Sequence, residues 1–282
     1  LSNDDLTGTY YFRNIEFIDA NIGFLGTLNN AFFKTIDGGS TWQEVTNITP
    51  QPNAICGLDA VNSSTIYGCG AYFSPACIIK STDAGENWQY IDMSAYAEAL
   101  VEVLFVDELT GFAAGKCSTG ACVLKTIDGG STWQEIYNSG IVGEFVWKLQ
   151  FVNNNPNVIF GALQSVVNNP GKLIKSFDSG LSWTSLDAPE TNVQAVGFIN
   201  ENTGWMGGHT TGFFETNDGG VTWTDTEIGS NLNRIYVINE SLAYASGTGI
   251  YKFTQESLSL TEEGAIADGL DLIRLEENPV NS

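Results

Sequence analysis

Glu16, Asp59 and Glu102 each stand in a short apolar run, and two later runs carry the cations Lys148 and Arg234. Two carboxylates facing across a cleft are the machinery of glycoside hydrolysis, one delivering a proton while the other attacks or activates water. Cations beside them would instead hold an anionic or hydroxylated ligand, with Tyr236 offering a ring to stack on. Aligning the six runs on their final apolar pair puts Asn14, Gly57, Glu102, Lys148, Ala195 and Arg234 at one level. Two residues further, on the same face of a strand, come Glu16, Asp59, Leu104, Gln150, Gly197 and Tyr236. The candidate ligand-binding ring is therefore Glu16, Asp59, Glu102, Lys148, Gln150, Arg234 and Tyr236. Mixed charges that compensate one another in a wet channel need no ligand, and that is the leading reading; a small polar binding site comes second and hydrolysis third.

Other chemistry finds little to work with. His209 is the sole histidine, in GGHTTG (207–212), a hairpin tip by its glycines. One histidine supports neither a His-rich metal site nor a Cys/His zinc pattern. A Ser–His–Asp triad would have only that histidine and no nucleophile elbow. No EF-hand loop, no clustered Asp ligands and no glycine-rich phosphate loop before a helix are present. No catalytic residue, metal or cofactor is expected.

The elements that would position such a ring follow from an internal repeat. Five octapeptides share the pattern Ser/Thr-x-Asp-x-Gly-x-x-Trp: TIDGGSTW (35–42), STDAGENW (81–88), TIDGGSTW (126–133), SFDSGLSW (176–183) and TNDGGVTW (216–223). Their tryptophans, Trp42, Trp88, Trp133, Trp183 and Trp223, are spaced by 46, 45, 50 and 40 residues, the period of a four-stranded propeller blade. Before each octapeptide come three strand-like segments, as in VEVLFVD (101–107), FAAG (112–115) and ACVLKT (121–126), and a short fourth strand, QEIY (134–137), follows. Asp37, Asp83, Asp128, Asp178 and Asp218 can accept backbone N–H bonds across a turn, and the glycine two residues later tolerates positive φ. A catalytic aspartate is needed once, a turn fastener in every blade, so these residues are read as structural.

A sixth unit without the octapeptide runs over 232–254. The expected fold is an all-β, six-bladed β-propeller over residues 1–257, with a seventh blade only if the N-terminus has been cut back. LTGTYYF (6–12) is the candidate strand to complete the last blade and cover its edge. Residues 258–282 leave the period and read as an acidic linker or strap.

Composition narrows the partner. Lys plus Arg number 11 against 33 Asp plus Glu, a net charge of −22, so no basic face exists to bind nucleic acid. No apolar run is long enough for a membrane span. Of five cysteines, Cys117 and Cys122 in CSTGAC are spaced to staple a hairpin, and a second bridge is expected as Cys69–Cys77 or Cys56–Cys69. Disulfides persist in oxidising compartments, which points to export.

The five octapeptides resemble the BNR or Asp-box repeat shared by bacterial sialidases, some endoglucanases, sortilin-type receptors and the photosystem II assembly/stability factor family. GFLGTLNNAFFKTIDGGSTW (23–42), with GFAAG and VLKTIDGGSTW in the third unit, is most similar to the last of these. The resemblance covers about residues 10–256. It implies a propeller with the box in an outer hairpin, away from any active site, and a protein partner. YFRNIEF (11–17) superficially resembles the Phe-Arg-Ile-Pro motif of sialidases, with Asn14 and Ile15 in place of Ile-Pro. A sialidase-like three-arginine clamp would have to use Arg13, Arg234 and Arg274. The closing ENPVNS (277–282) resembles the opening of a type IX secretion sorting domain, where Pro-Asn-Pro-Val is usual, with Glu277 replacing the first proline. That implies a protein exported to the cell surface or the medium. The expected function is a secreted or cell-surface, non-enzymatic binding module, monomeric, for an unknown protein or glycan. The alternative is a carbohydrate-active hydrolase with a carboxylate pair in the channel.

Overall fold

The computed structural model describes residues 10–70 and 75–255 and the backbone of one further strand, Asp271–Leu275. All six sheets are four-stranded and antiparallel, and the only helical element among the described residues is a 3-10 turn at Val152–Asn154. The fold class is the expected all-β, six-bladed β-propeller. The chain divides into two compact units, 1–149 and 150–282, described here in turn.

Unit 1 contains three blades. The first has strands β1 (Phe12–Phe17), β2 (Gly23–Thr27), β3 (Phe32–Thr35) and β4 (Gln43–Glu44). The second has β5 (Gly57–Ala60), β6 (Ile66–Gly70), β7 (Cys77–Ser81) and β8 (Gln89–Asp92). The third has β9 (Ala99–Phe105), β10 (Gly111–Cys117), β11 (Gly120–Thr126) and β12 (Gln134–Asn138). Each pairs its strands in chain order, which short turns allow. Apolar side chains of adjacent blades close into shared cores, Phe24 and Phe32 with Leu58 and Ile79, then Tyr67 and Ile78 with Leu100 and Val103. Neighbouring first strands approach closely at Gly57, where a Cβ would stand 3.0 Å from Glu102 Cα. Phe12, Ile15 and Phe17 along the first strand β1, and Tyr11 just before it, are exposed.

β13 (Phe145–Phe151) begins the fourth blade and contains the division between the units. The blade continues with β14 (Ile159–Gln164), β15 (Lys172–Ser176) and β16 (Thr184–Asp187). Next come β17 (Val193–Phe198), β18 (Gly204–Gly208), β19 (Phe214–Thr216) and β20 (Thr224–Asp225). The last blade has β21 (Arg234–Asn239), β22 (Leu242–Ser246), β23 (Ile250–Thr254) and β24 (Asp271–Leu275). Within unit 2, Phe160 packs with Val196 and Phe198, and Trp205 and Phe213 with Ile235 and Phe253.

Two sequence expectations are corrected here. The fourth strand of the last blade comes from 271–275, inside the segment read as a linker or strap, and not from the N-terminal strand. Residues 6–9 of that N-terminal candidate lie outside the described residues, as do 276–282 with the ENPVNS stretch. The physical reason is the exposed backbone of β23, whose N–H and C=O row accepts any strand that reaches it.

Each octapeptide closes the hairpin between the third and fourth strands of its own blade, so the five fasteners sit in five separate turns. In the third blade Thr126 Oγ1 accepts from the N–H of Gly130 at 2.9 Å and donates to Asp128 Oδ1 at 2.8 Å. The same carboxylate accepts the Thr132 N–H at 2.9 Å and, through Oδ2, the Thr132 hydroxyl. Gly129 and Gly130 both have positive φ, 70° and 88°, so the turn needs two left-handed residues in succession. Equivalent bonds hold Asp37, Asp83, Asp178 and Asp218. The closing tryptophans pack edge-on against apolar rings, Trp42 on Phe17, Trp88 on Phe24, Trp133 on Phe105 and Trp223 on Phe198. Trp183 returns its indole N–H to the Gly180 carbonyl at 3.1 Å.

Cys117 and Cys122 are disulfide-bonded across the β10–β11 hairpin, their Cα atoms 5.8 Å apart. No second bridge forms among the described residues: Cys56, Cys69 and Cys77 are buried thiols. The ladder explains why. Cys77 lies opposite Gly70 and Cys69 opposite Ile78, so the two sulfurs point to opposite faces of the sheet. Cys69 shares its face with Gly57, its ladder partner, which turns Cys56 away from it.

Candidate functional site

The ring residues are placed by the first strand of each blade. In unit 1, Glu102 on β9 and Lys148 on β13 form an ion pair, 2% and 5% exposed, so neither charge reaches solvent. The buried Cys69 thiol lies beside this pair; burial pushes it well above its ordinary range, and Cys56 and Glu102 add to the rise. Cys77 is pushed up to about 12, again chiefly by burial. Asp59 on β5 receives the N–H of Phe105, the last residue of β9, at 2.5 Å. It therefore ties the second blade to the third. Glu16 on β1 is half-buried and partnered.

In unit 2 the position equivalent to Asp59 is Gln150. Its Oε1 accepts the Phe198 N–H at 2.7 Å and its Nε2 donates to the Phe198 carbonyl at 2.8 Å, tying the fourth blade to the fifth. Phe105 and Phe198 end corresponding strands, so the same bond recurs with a different side chain. Gln150→Leu is expected to leave both Phe198 groups unpaired and to cost about 2 kcal/mol in urea unfolding. In the next blade the position is Gly197, where a Cβ would stand 2.3 Å from Ile235 Cγ2. Arg234 is half-buried and Tyr236 is 61% exposed.

Alignment by apolar pairs missed the bulges. Phe12 pairs with Thr27 and Asn14 with Gly26, so Arg13 is the extra residue of a bulge on β1; Val101 and Gln194 are skipped in the same way on β9 and β17. A bulge re-aims the extra side chain. In unit 1 the residues one step before the aligned level gather as Cys56, Val101 and Trp147, with the Arg13 guanidinium 5.1 Å from the Trp147 ring centre. The repetition at one alignment column was the available signal, but a bulge leaves no mark on a hydrophobic pattern.

Chemically, the arrangement favours scaffolding over acid–base work. A hydrolytic pair needs two carboxylates open to substrate, one able to carry a proton. Glu102 is sealed with Lys148, and Asp59 is engaged with a backbone N–H. The only cluster of cysteine and acidic side chains close enough to share a metal is Cys117, Cys122 and Glu135 among the described residues, and both cysteines there are already bonded to each other. No helix among the described residues is long and apolar enough to cross a membrane.

Residues 3–97 match the family model described as photosynthesis system II assembly factor YCF48. Among solved structures, the chain is similar to YCF48 bound to a D1 peptide, at 17% identity over 86% of this chain and 91% of the other, TM-score 0.48. YCF48 from Cyanidioschyzon merolae gives 15% identity over 88% and 97%, TM-score 0.49. The GH74 enzyme of Niastella koreensis gives 18% identity over 88% of this chain, TM-score 0.63, and shares the fold. This chain spans 46% of that enzyme's length. No curated protein matches it.

Proposed function

We propose that the protein is an exported, non-enzymatic interaction module whose partner is a protein with a basic surface. The observation that carries this is the engagement of Glu102 by Lys148 and of Asp59 by the Phe105 backbone, which withdraws two of the three candidate carboxylates from chemistry. The match of residues 3–97 to an assembly-factor family supports a protein partner. The net charge of −22 supports a cationic one, because complementary fields steer encounter and exclude like-charged competitors. Phe12, Ile15 and Phe17 on β1, with Tyr11 just before it, supply the apolar contact surface in unit 1. The Cys117–Cys122 bridge supports an oxidising compartment, and with it export.

The test is site-specific photocrosslinking from position 15 in the native host, together with a glycan array and fluorogenic glycosides. The expected result is a crosslinked protein whose yield falls steeply as salt rises through about 0.1–0.5 M, with no glycoside turnover. Turnover that disappears in Glu102→Gln would establish a hydrolase instead.

A further inference from the structure

We infer that the protein associates with a second copy of itself, the free face of the last blade (β21–β24) in unit 2 seating the first blade (β1–β4) of the other molecule. The chain makes the same contact internally, from one blade to the next.

On the second strand of each of the first five blades stands a buried aromatic residue: Phe24, Tyr67, Phe112, Phe160 and Trp205. Four of them share a core with an aliphatic residue on the first strand of the following blade, Phe24 with Leu58, Tyr67 with Val103, Phe160 with Val196 and Trp205 with Ile235. Opposite the aromatic in the ladder, on the same face, come Lys34, Lys80, Lys125 and Lys175 in the first four blades. Three of these lysines reach the octapeptide turn of the next blade. Lys80 Nζ donates to the Gly129 carbonyl at 3.1 Å and Lys175 Nζ to the Gly219 carbonyl at 2.6 Å, while Lys34 pairs with Glu86. The fifth blade departs from this: Trp205 stands opposite Glu215, and the blade that follows has no octapeptide for a lysine to reach.

The sixth blade returns to the lysine. Tyr244 stands opposite Lys252, so this face is built for a neighbour that carries an octapeptide turn. Yet Tyr244 is only half-buried, and Tyr236 and Ile250 on the same face are exposed. The complementary half lies on the first blade. Ile15 occupies the place of Leu58, Val103, Val196 and Ile235, and it is 52% exposed where they reach at most 8%. In its octapeptide Gly38 is exposed, whereas Gly129 and Gly219 at the same place are buried.

One chain therefore carries both halves of a blade-to-blade contact, each uncovered. A second copy supplies what each half lacks, with Lys252 of one molecule reaching the Gly38 turn of the other. The two halves differ, so the contact is heterologous rather than two-fold. Chains of net charge −22 repel one another until salt screens them, so this contact should strengthen with salt. The cationic partner proposed above uses the same β1 face but has the opposite salt dependence.

Sedimentation velocity of the full chain tests this. A monomer is expected at low ionic strength, and a dimer or larger assembly above about 0.3 M salt. Lys252→Glu, which copies the charge of Glu215, and Ile15→Asp should each weaken association at least about tenfold. An equimolar mixture of the two variants should associate again, as dimers only, because each retains the half that the other lacks. A chain that stays monomeric at every salt concentration would overturn the proposal, and a foreign protein crosslinked from position 15 would then leave the earlier reading standing alone. Association that both variants leave intact would overturn it too, as would a mixture no better than its components.

Discussion

Lys148→Met is expected to destabilise the protein by about 3–5 kcal/mol, among the largest effects of any single substitution in the first strands. Its partner Glu102 is 2% exposed, so removing the ammonium strands a carboxylate in a dry site beside Cys69. The cost comes from the charge left behind rather than from the bond removed. Replacing both partners, in Glu102→Leu/Lys148→Met, should therefore recover stability to the wild-type value or above it. Chemical denaturation at constant m-value separates the two outcomes. A single variant that lost under about 1 kcal/mol would mean that water reaches the pair. Because the same carboxylate heads the hydrolase alternative, Glu102→Gln would separate a structural loss, seen in unfolding, from a catalytic one, seen in turnover.

Acid unfolding should be unusually steep. Hydrogen bonds hold eight aspartates below the ordinary carboxylate range: Asp19, Asp37, Asp83, Asp92, Asp107, Asp128, Asp178 and Asp218. In the turns the cause is the residue four positions on; the Thr132 hydroxyl and N–H, then the Thr126 hydroxyl, lower Asp128 to about 2. Asp83 and Asp218 also fall to about 2. Groups depressed in the folded state contribute stability above their unfolded value, near 3.8, and lose it as pH falls toward 2. The unfolded chain binds protons first, so stability should hold from neutral pH to about 4.5 and then drop with a slope approaching one proton per depressed aspartate. Asp128→Asn should make that slope shallower by about one proton. A profile flat down to pH 2.5 would show that these carboxylates do not hold the turns.

The repeat made most of the architecture legible. Ser/Thr, Asp and Gly at fixed offsets encode a turn whose bonds are all local, within residues 126–132 in the third blade, so no distant contact is required to read it. Glu102 and Lys148 were placed at one level by alignment, and their strands do bring them together. Asp59 and Gln150 were singled out as possible ligand groups, but they hold neighbouring backbone, a role that depends on where Phe105 and Phe198 lie. The second disulfide failed for a comparable reason. Spacing along the chain says that Cys69 and Cys77 are near, while pleat parity puts them on opposite faces.

Local chemistry thus determined, from the residue order alone, six sheets of four strands, the five fastened turns, the Cys117–Cys122 staple and a charge that rules out polyanions. Only tertiary structure decided which carboxylates are sealed, which strand completes the last blade, and which side chains the bulges at Arg13, Val101 and Gln194 turn aside. Those outcomes depend on register and on the approach of one backbone to another, at Gly57 above all, and a one-residue offset reverses them while leaving the hydrophobic pattern unchanged.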